Sequence, residues 1–217
     1  MDKKEVFRFL EELQKNNSKD WMDANRKWFE QTKSILFDIF DPILDELKTL
    51  DPRIVTQNTR KGLNRINNNL MFHPDRPTYK DHFGIGFGYG KGLADFYIHL
   101  GIDETLIAGG LWHPPVDKLK KLRSEIDYEG DQLMKVLDAP EFQRHFQLFQ
   151  EDKLTNSPKG FDKNHEHIEL LKMKSLGAWR HFDRQLFFTD SFSDLVIECY
   201  KTLVPMIDFI NVAISND

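Results

Sequence analysis

The chain has 217 residues, of which 40% are hydrophobic and 30% charged, a composition typical of a soluble globular protein. Its formal charge of −5 excludes a general cationic attraction to nucleic acid or to an anionic membrane. One cysteine excludes an internal disulfide and a cysteine-rich metal site, and no run approaches the ~20 apolar residues of a membrane helix. Together these features predict a cytoplasmic protein that does not associate with membranes.

The N-terminal third is predicted to be helical. Apolar residues at helical spacing predict a first helix that ends at Asn16-Asn17, and a second that begins near Ser18 or Asp20. Trp21 and Trp28 lie seven residues apart in this second helix and therefore on one face. We expect both tryptophans to be mostly buried against a sheet.

Period-two alternation replaces helical spacing after about residue 53. Strands are predicted at Ile54-Val55-Thr56 and within residues 83–89, 96–100 and 105–112. The short polar connections between the last three segments indicate hairpins and an antiparallel meander.

The C-terminal half is predicted to be helical again, with one further strand. Helices are predicted from Pro114-Pro115 onward, over residues 131–149 with a break at Pro140, and from about Asp190. The pattern therefore predicts a single α+β domain over residues 1–217. Its mainly antiparallel sheet covers about residues 54–112, has residues 178–184 as a candidate extra strand, and is covered by N- and C-terminal helices.

One segment departs from the acidic balance of the chain. Residues 53–92 carry seven basic and two acidic side chains, a net charge of +5. Guanidinium and ammonium groups among amides and a phenol are the chemistry that a phosphate or carboxylate ligand requires. The leading hypothesis is therefore binding, with or without turnover, of a small anionic or phosphorylated ligand at residues 65–82.

The predicted ligand-binding residues are of three kinds. Arg65, Arg76 and Lys80 hold the anion, and Asn67 and Asn69 orient it if they share one strand face. The remaining candidates are His82 for ligand binding and Asp75, His73 and Tyr79 for proton transfer.

Two other interpretations of this region stay open. Lys and Arg on an edge strand also protect it from pairing with another chain. A non-enzymatic binding or scaffold protein would instead present the basic segment to a nucleic acid or an acidic protein partner, although the net charge makes nucleic acid the less favoured of the two. Glycine at alternate positions from Gly84 to Gly92 admits either close packing or a flat ligand.

Two histidine groups are candidate metal ligands without the spacing of a known zinc site. One is His165-x-His167 with Glu166 and Glu169, and the other is His73 and His82 with Asp75, Asp81, His99 or His113. The sequence therefore assigns no metal site, and it identifies no cofactor and no oligomeric state.

Several short motifs resemble a microbial family known as domain of unknown function 2461. They are Phe9-Leu10, Asn16-Asn17, Trp21, Asn25-Arg26, Arg65-Ile66, Phe72-x-x-Asp75, Tyr79-Lys80, Gly109-Gly110, Arg123-x-x-Ile126, Pro158-Lys159-Gly160-Phe161 and Leu170-Leu171-Lys172. The resemblance covers nearly the whole chain and implies an intracellular bacterial protein of mixed α/β structure with a polar central motif. It implies no established activity.

The central motif of the family reads roughly R-x-x-R-D-x-R-F-x-x-D-K-x-P-Y-K. In this chain Asn68, Asn69 and Met71 stand where the family usually has Arg, Asp and Arg. If those charges perform chemistry in the family, this member has lost that chemistry or changed its substrate. If they only pair with each other, neutral side chains replace the pair at little cost.

Overall fold

A computed structural model describes residues 2–71 and 73–215 of the chain. Phe72, one of the residues that carry the family resemblance, lies outside the described residues. The helices are α1 Lys4–Lys15, α2 Lys19–Ala24, α3 Arg26–Leu50, α4 Thr59–Gly62, α5 Val116–Leu137, α6 Pro140–His145, α7 Ile168–Leu171, α8 Arg184–Phe187 and α9 Ser191–Ser215. The strands are β1 His82–Gly88, β2 Asp95–Gly101, β3 Thr105–Leu111, β4 Gln147–Leu148 and β5 Leu176–His181.

The five strands form one antiparallel sheet in the order β1-β2-β3-β5-β4. This confirms the predicted α+β class, the meander of β1 to β3, and the extra strand, which lies at Leu176–His181. The predicted strand at Ile54-Val55-Thr56 is wrong, because the Ile54 N–H donates to the carbonyl of Asp51 in a turn and Val55 is exposed.

The chain forms two compact units. The first comprises Met1–Phe87, Tyr97–Ile107 and His181–Ile197. The second comprises Gly88–Phe96, Ala108–Arg180 and Glu198–Asp217.

Aromatic side chains join helices to strand β1 in the first unit. Phe83 of β1 stacks on Phe9 of α1 and Phe29 of α3, with ring centroids 6.2 and 6.4 Å apart. Phe87 contacts Phe40 of α3 at 6.4 Å. Because these rings occupy one face of β1, the alternate residues His82, Gly84 and Gly86 lie on the opposite face.

The two N-terminal tryptophans lie farther from the sheet than the sequence predicts. Each is half-buried, and each ring contacts Phe9 of α1, Trp21 at 5.8 Å and Trp28 at 5.4 Å. They also belong to two helices, since Asn25 ends α2 and precedes α3. Phe9 lies between the tryptophans and the sheet, and this explains their partial exposure.

The second unit has its own packing of helix on strand. Tyr200 of α9 meets Phe96 of β2 edge to face at 5.3 Å. Leu203 and Ile207 lie one and two turns further along α9, and a Cβ at Gly109 of β3 would lie only 3.2 and 3.0 Å from their Cδ1 atoms. A single face of α9 therefore covers these strands.

Candidate anion-binding site

The segment that precedes β1 lies along the edge of the sheet. Leu63 forms an isolated antiparallel bridge with Ile85 of β1, and the Asn64 N–H donates to the carbonyl of Gly84. A second bridge joins Asn67 to Tyr79 and closes a loop whose described residues are 63–71 and 73–80. This loop, which we call the edge loop, carries most of the predicted site residues.

Three cationic side chains of the edge loop interact with one another. Lys80 is half-buried, and its ammonium group donates to the backbone carbonyl of Arg65 at 2.9 Å. Burial and the positive charges of Arg65 and Arg76 lower the pKa of Lys80. Within residues 2–71 and 73–215, no acidic side chain forms an ion pair with any of the three. The group is therefore a cationic cluster without a carboxylate partner there.

The other predicted residues of the edge loop have different environments. Asn67, Asn69, His73 and Asp75 are exposed. Tyr79 is buried among hydrophobic residues, where its side chain is part of the core. The structure thus places one proton-transfer candidate in the core and the other two at the surface.

A pair of histidines lies where the edge loop joins the sheet. His82 of β1 and His99 of β2 stack with ring centroids 4.2 Å apart. His82 is also 3.5 Å from the carboxylate of Asp81, measured from Nδ1 to Oδ1. Burial lowers the pKa of His82, and the charge of Lys80 lowers it further, whereas Asp81 opposes the shift. This effect of Lys80 connects the histidine pair electrostatically to the cationic cluster.

His99 is held neutral by its surroundings. Burial, followed by the neighbouring charge of His82, lowers the pKa of His99 to about 4. Its Nδ1 lies 3.1 Å from the hydroxyl of Tyr97, and burial raises the pKa of that phenol to about 12. A phenol that donates this hydrogen bond leaves the imidazole proton on Nε2. The pair can therefore offer a neutral N–H donor at one ring and a titratable base at the other.

Gly84 provides the space that this arrangement needs. A Cβ at that position would lie 2.5 Å from the Tyr97 hydroxyl and 2.9 Å from the side-chain amide nitrogen of Asn64. The alternating glycines are thus explained at Gly84 by close packing of polar side chains rather than by space for a flat ligand.

An open cleft adjoins the histidine pair. It has a volume of about 440 Å³ and is lined by residues 101–105 together with His181, Phe182 and Arg184. Gly101 brings the cleft close to the pair, because a Cβ at that position would lie 2.7 Å from Nε2 of His99. The cleft is large enough for a small metabolite.

The sequence does not identify Tyr97 as part of a site, and it considers His99 only as a metal ligand. The signal that could find both is the alternation of residues 96–100, since Tyr97 and His99 share the face opposite Phe96 and Ile98. The pairing of His99 with His82 depends on the pairing of β1 with β2, which no local pattern specifies.

The other histidine groups lie elsewhere. His113 belongs to the second unit, where its Nε2 is 3.4 Å from the carboxylate of Asp152. His165 and His167 also belong to that unit. Cys199 is fully buried, and burial raises the pKa of its thiol to about 11, so it is an unreactive core residue.

Fold and site together define an α+β protein with an edge loop rich in cations beside a half-buried histidine pair. The chain matches the family described as conserved hypothetical protein (DUF2461) over residues 5–209 and belongs to it. No curated protein and no solved structure gave a match. Among the described residues, no helix is long and apolar enough to cross a membrane.

Proposed function

We propose that the chain binds a small phosphorylated or otherwise anionic ligand between the cationic cluster of the edge loop and the His82–His99 pair. The observation that carries the proposal is the position of Lys80, whose half-buried ammonium group donates to the carbonyl of Arg65 at 2.9 Å, and whose pKa is lowered by burial and then by the charges of Arg65 and Arg76. Cations that repel one another without a carboxylate partner are stabilised when an anion binds between them.

The partial burial of the site favours a small ligand over a macromolecular surface. Lys80, His82 and His99 are half-buried, and Gly101, which lies beside His99, lines a small cleft. The neutral imidazole of His99 can donate from Nε2 to an oxygen of a phosphate monoester, and His82 can accept a proton if the ligand is turned over. The proposal includes the location in a bacterial cytoplasm that composition and resemblance predict.

The alternative is a basic surface for a nucleic acid or an acidic protein. It is supported by the exposure of Arg65 and Arg76. An extended polyanion would contact these exposed cations and would not require the half-buried histidine pair.

Thermal unfolding with inorganic phosphate tests the proposal. A site with a dissociation constant near ~1 mM, probed at about 10 mM phosphate, adds about 1.4 kcal/mol to the free energy of unfolding. The comparison is with chloride at equal ionic strength, because salt screens charge and phosphate stabilises many proteins non-specifically. In the variant Arg65→Gln/Lys80→Gln we expect phosphate to give only the non-specific part of this stabilisation.

The matched control is Lys27→Gln/Lys120→Gln, which removes two exposed positive charges outside the edge loop. It should keep the full response to phosphate. Equal stabilisation of the wild type and of Arg65→Gln/Lys80→Gln would contradict the proposal. If a single-stranded oligonucleotide or polyglutamate stabilises the protein and phosphate does not, the macromolecular alternative is correct.

A further inference from the structure

A second cluster of polar side chains lies in the second unit, where the loop before α7 meets helix α5. The Nε2 atom of His167 is 3.3 Å from a carboxylate oxygen of Asp131 and 3.9 Å from one of Glu166. One ligand atom from each of the three residues lies within 4.8 Å of the others. Imidazole nitrogen and carboxylate oxygen are both ligands of Zn²⁺ and related divalent cations.

The position of His167 is built into the fold of α5. The side chain of His167 is only 8% exposed, and its ring occupies the space beside Gly130, where a Cβ would lie 2.6 Å from Nε2. The preceding residue, Glu129, has non-helical dihedral angles of φ −122° and ψ 22°. A side chain at position 130 would displace the ring, so the glycine leaves the space that the imidazole occupies, and there Nε2 faces the carboxylates of Asp131 and Glu166.

His165 positions this loop and is not a metal ligand. Its Nδ1 accepts the backbone N–H of His167 at 3.0 Å, and its Nε2 lies 3.0 Å from the carboxylate of Asp127. Both ring nitrogens are therefore engaged. Asp127 and Asp131 lie on α5 on either side of the non-helical residue Glu129, and each carboxylate meets one of the two histidines, Asp127 facing His165 and Asp131 facing His167.

We propose that His167, Asp131 and Glu166 bind a divalent first-row transition cation of the Zn²⁺ type. The 3.3 Å separation of His167 Nε2 from Asp131 is close to the ~3.4 Å edge of a tetrahedron with metal–ligand bonds of ~2.1 Å. The side chains of Asp131 and Glu166 are 80% and 75% exposed, so they can adjust to a cation without disturbing the core. Water completes the coordination from the solvent side.

A simple ion pair explains less of this geometry. The Nε2–H of a protonated imidazole is directed at one acceptor, whereas both carboxylates approach the same nitrogen. A cation at the centre satisfies all three groups and removes the repulsion between the two acidic side chains. The inference does not depend on the proposed anion site, since the two sets of residues belong to different units.

Calorimetric titration of chelator-treated full-length protein with Zn²⁺ tests the inference. We expect saturable binding of one equivalent, with an affinity at least about tenfold weaker in Asp131→Asn/Glu166→Gln. Both side chains are exposed, so this variant should fold normally. The charge-matched control is Asp138→Asn/Glu141→Gln, two exposed acidic residues outside the cluster, and it should bind as the wild type does.

NMR of ring nitrogens identifies the histidine involved. With ¹⁵N-labelled histidine, Zn²⁺ should shift the Nε2 resonance of His167, assigned with His167→Asn, and leave Nδ1 of His165 as the acceptor of its backbone hydrogen bond. Absence of binding to the wild type, or unchanged affinity in Asp131→Asn/Glu166→Gln, would overturn the inference.

Discussion

Asn17 shows how a residue that carries the family resemblance can have a structural role. Its side-chain oxygen accepts the backbone N–H of Tyr79 at 2.8 Å, and its side-chain nitrogen donates to the Tyr79 carbonyl at 2.9 Å. This pair of hydrogen bonds anchors the edge loop to the turn between α1 and α2. Tyr79 itself is buried, so both residues position the cationic cluster rather than contact a ligand.

Gly110 and Arg123 have comparable roles in the second unit. Gly110 has φ +134°, and a Cβ there would collide with the backbone of Gly177, so only glycine fits. Arg123 donates from Nε to the carbonyl of Leu171 at 2.8 Å and satisfies the C-terminal end of α7. Resemblance at these positions therefore reports the fold rather than an activity.

The replaced charges of the central motif also have a structural interpretation. The side-chain amide of Asn68 donates to the carbonyl of Pro77 at 2.9 Å and closes the edge loop, while Asn69 and Met71 are exposed. In this chain none of these three neutral residues is buried. The cationic cluster is thus formed by residues that match the family pattern (Arg65 and Lys80) or keep its charge (Arg76).

His99 should make stability depend on pH. Its pKa is about 4 in the folded protein and about 6.5 in the unfolded chain, so between these values the unfolded state binds more protons. The free energy of unfolding therefore falls as the pH is lowered through this window, and the lowered pKa of His82 acts in the same direction. Allowing for partial exposure, His99 accounts for about 1–2 kcal/mol of the loss between about pH 7.5 and pH 5.

Urea unfolding at the two pH values measures this contribution. The loss of stability on acidification should be smaller in His99→Gln than in the wild type by that amount. His73→Gln, at an exposed histidine, is the control and should lose as much as the wild type. An identical pH dependence in His99→Gln and the wild type would show that His99 is not held neutral.

Among the secondary-structure elements, several with long periodic patterns are predicted correctly from the sequence. Strands β1, β2 and β3 fall where alternation predicts them, and α9 begins at Ser191, next to the predicted start at about Asp190. β4 has only two residues, Gln147 and Leu148, paired with Ala178 and Trp179 of β5. Two residues are too few for a period to be recognised, so this element depends on the tertiary fold.

The division between α2 and α3 shows a different reason for failure. The apolar stripe continues through Asn25, so periodicity alone predicts one helix. Asn25 departs from helical geometry, with φ −105° and ψ 18°, and its side-chain amide donates to the carbonyl of Trp21 at 2.9 Å. A local side-chain hydrogen bond therefore competes with the helix, as expected for asparagine.

Trp28 connects α3 to α1, and its removal should weaken that contact. The indole meets Phe9 edge to face at 5.4 Å and donates from Nε1 to the carboxylate of Glu5 at 3.3 Å. Because Trp28 is half-buried, Trp28→Ala should cost about 2–3 kcal/mol, less than the ~3–5 kcal/mol of a fully buried aromatic residue.

Chemical denaturation of Trp28→Ala, with Trp112→Ala as the control variant, checks this value. Trp112→Ala removes an indole that is 57% exposed and should cost about 1 kcal/mol. A loss below about 1 kcal/mol for Trp28→Ala would show that the aromatic contact between α1 and α3 contributes little.

At the scale of the whole molecule, charge is unevenly distributed along the chain. The net charge is −5, yet residues 53–92 carry +5. At physiological salt the Debye length is about 8 Å, so an anion near the edge loop responds mainly to the cations within that distance. Net charge therefore excludes a general affinity for polyanions without excluding one local anion site.

The expectation of one domain over residues 1–217 is a statement about cooperative unfolding. The boundaries between the two units fall at residues 87/88, 96/97, 107/108, 180/181 and 197/198. Each of these positions lies inside a strand or a helix, namely β1, β2, β3, β5 and α9. Domains that fold independently are joined by exposed linkers, and a division inside a hydrogen-bonded element offers none. We therefore expect one unfolding transition.

The four tryptophans allow the two units to be followed separately. Trp21 and Trp28 belong to the first unit, and Trp112 and Trp179 to the second. In Trp21→Phe/Trp28→Phe the fluorescence reports the second unit, and in Trp112→Phe/Trp179→Phe it reports the first. For each variant the urea midpoint by fluorescence should equal its own midpoint by far-ultraviolet circular dichroism, as two-state unfolding requires. If the urea midpoints from fluorescence and from circular dichroism differ by more than about 0.5 M in either variant, the two units unfold separately. With a denaturant slope of about 2 kcal/mol per molar, that difference corresponds to about 1 kcal/mol in the free energy of unfolding.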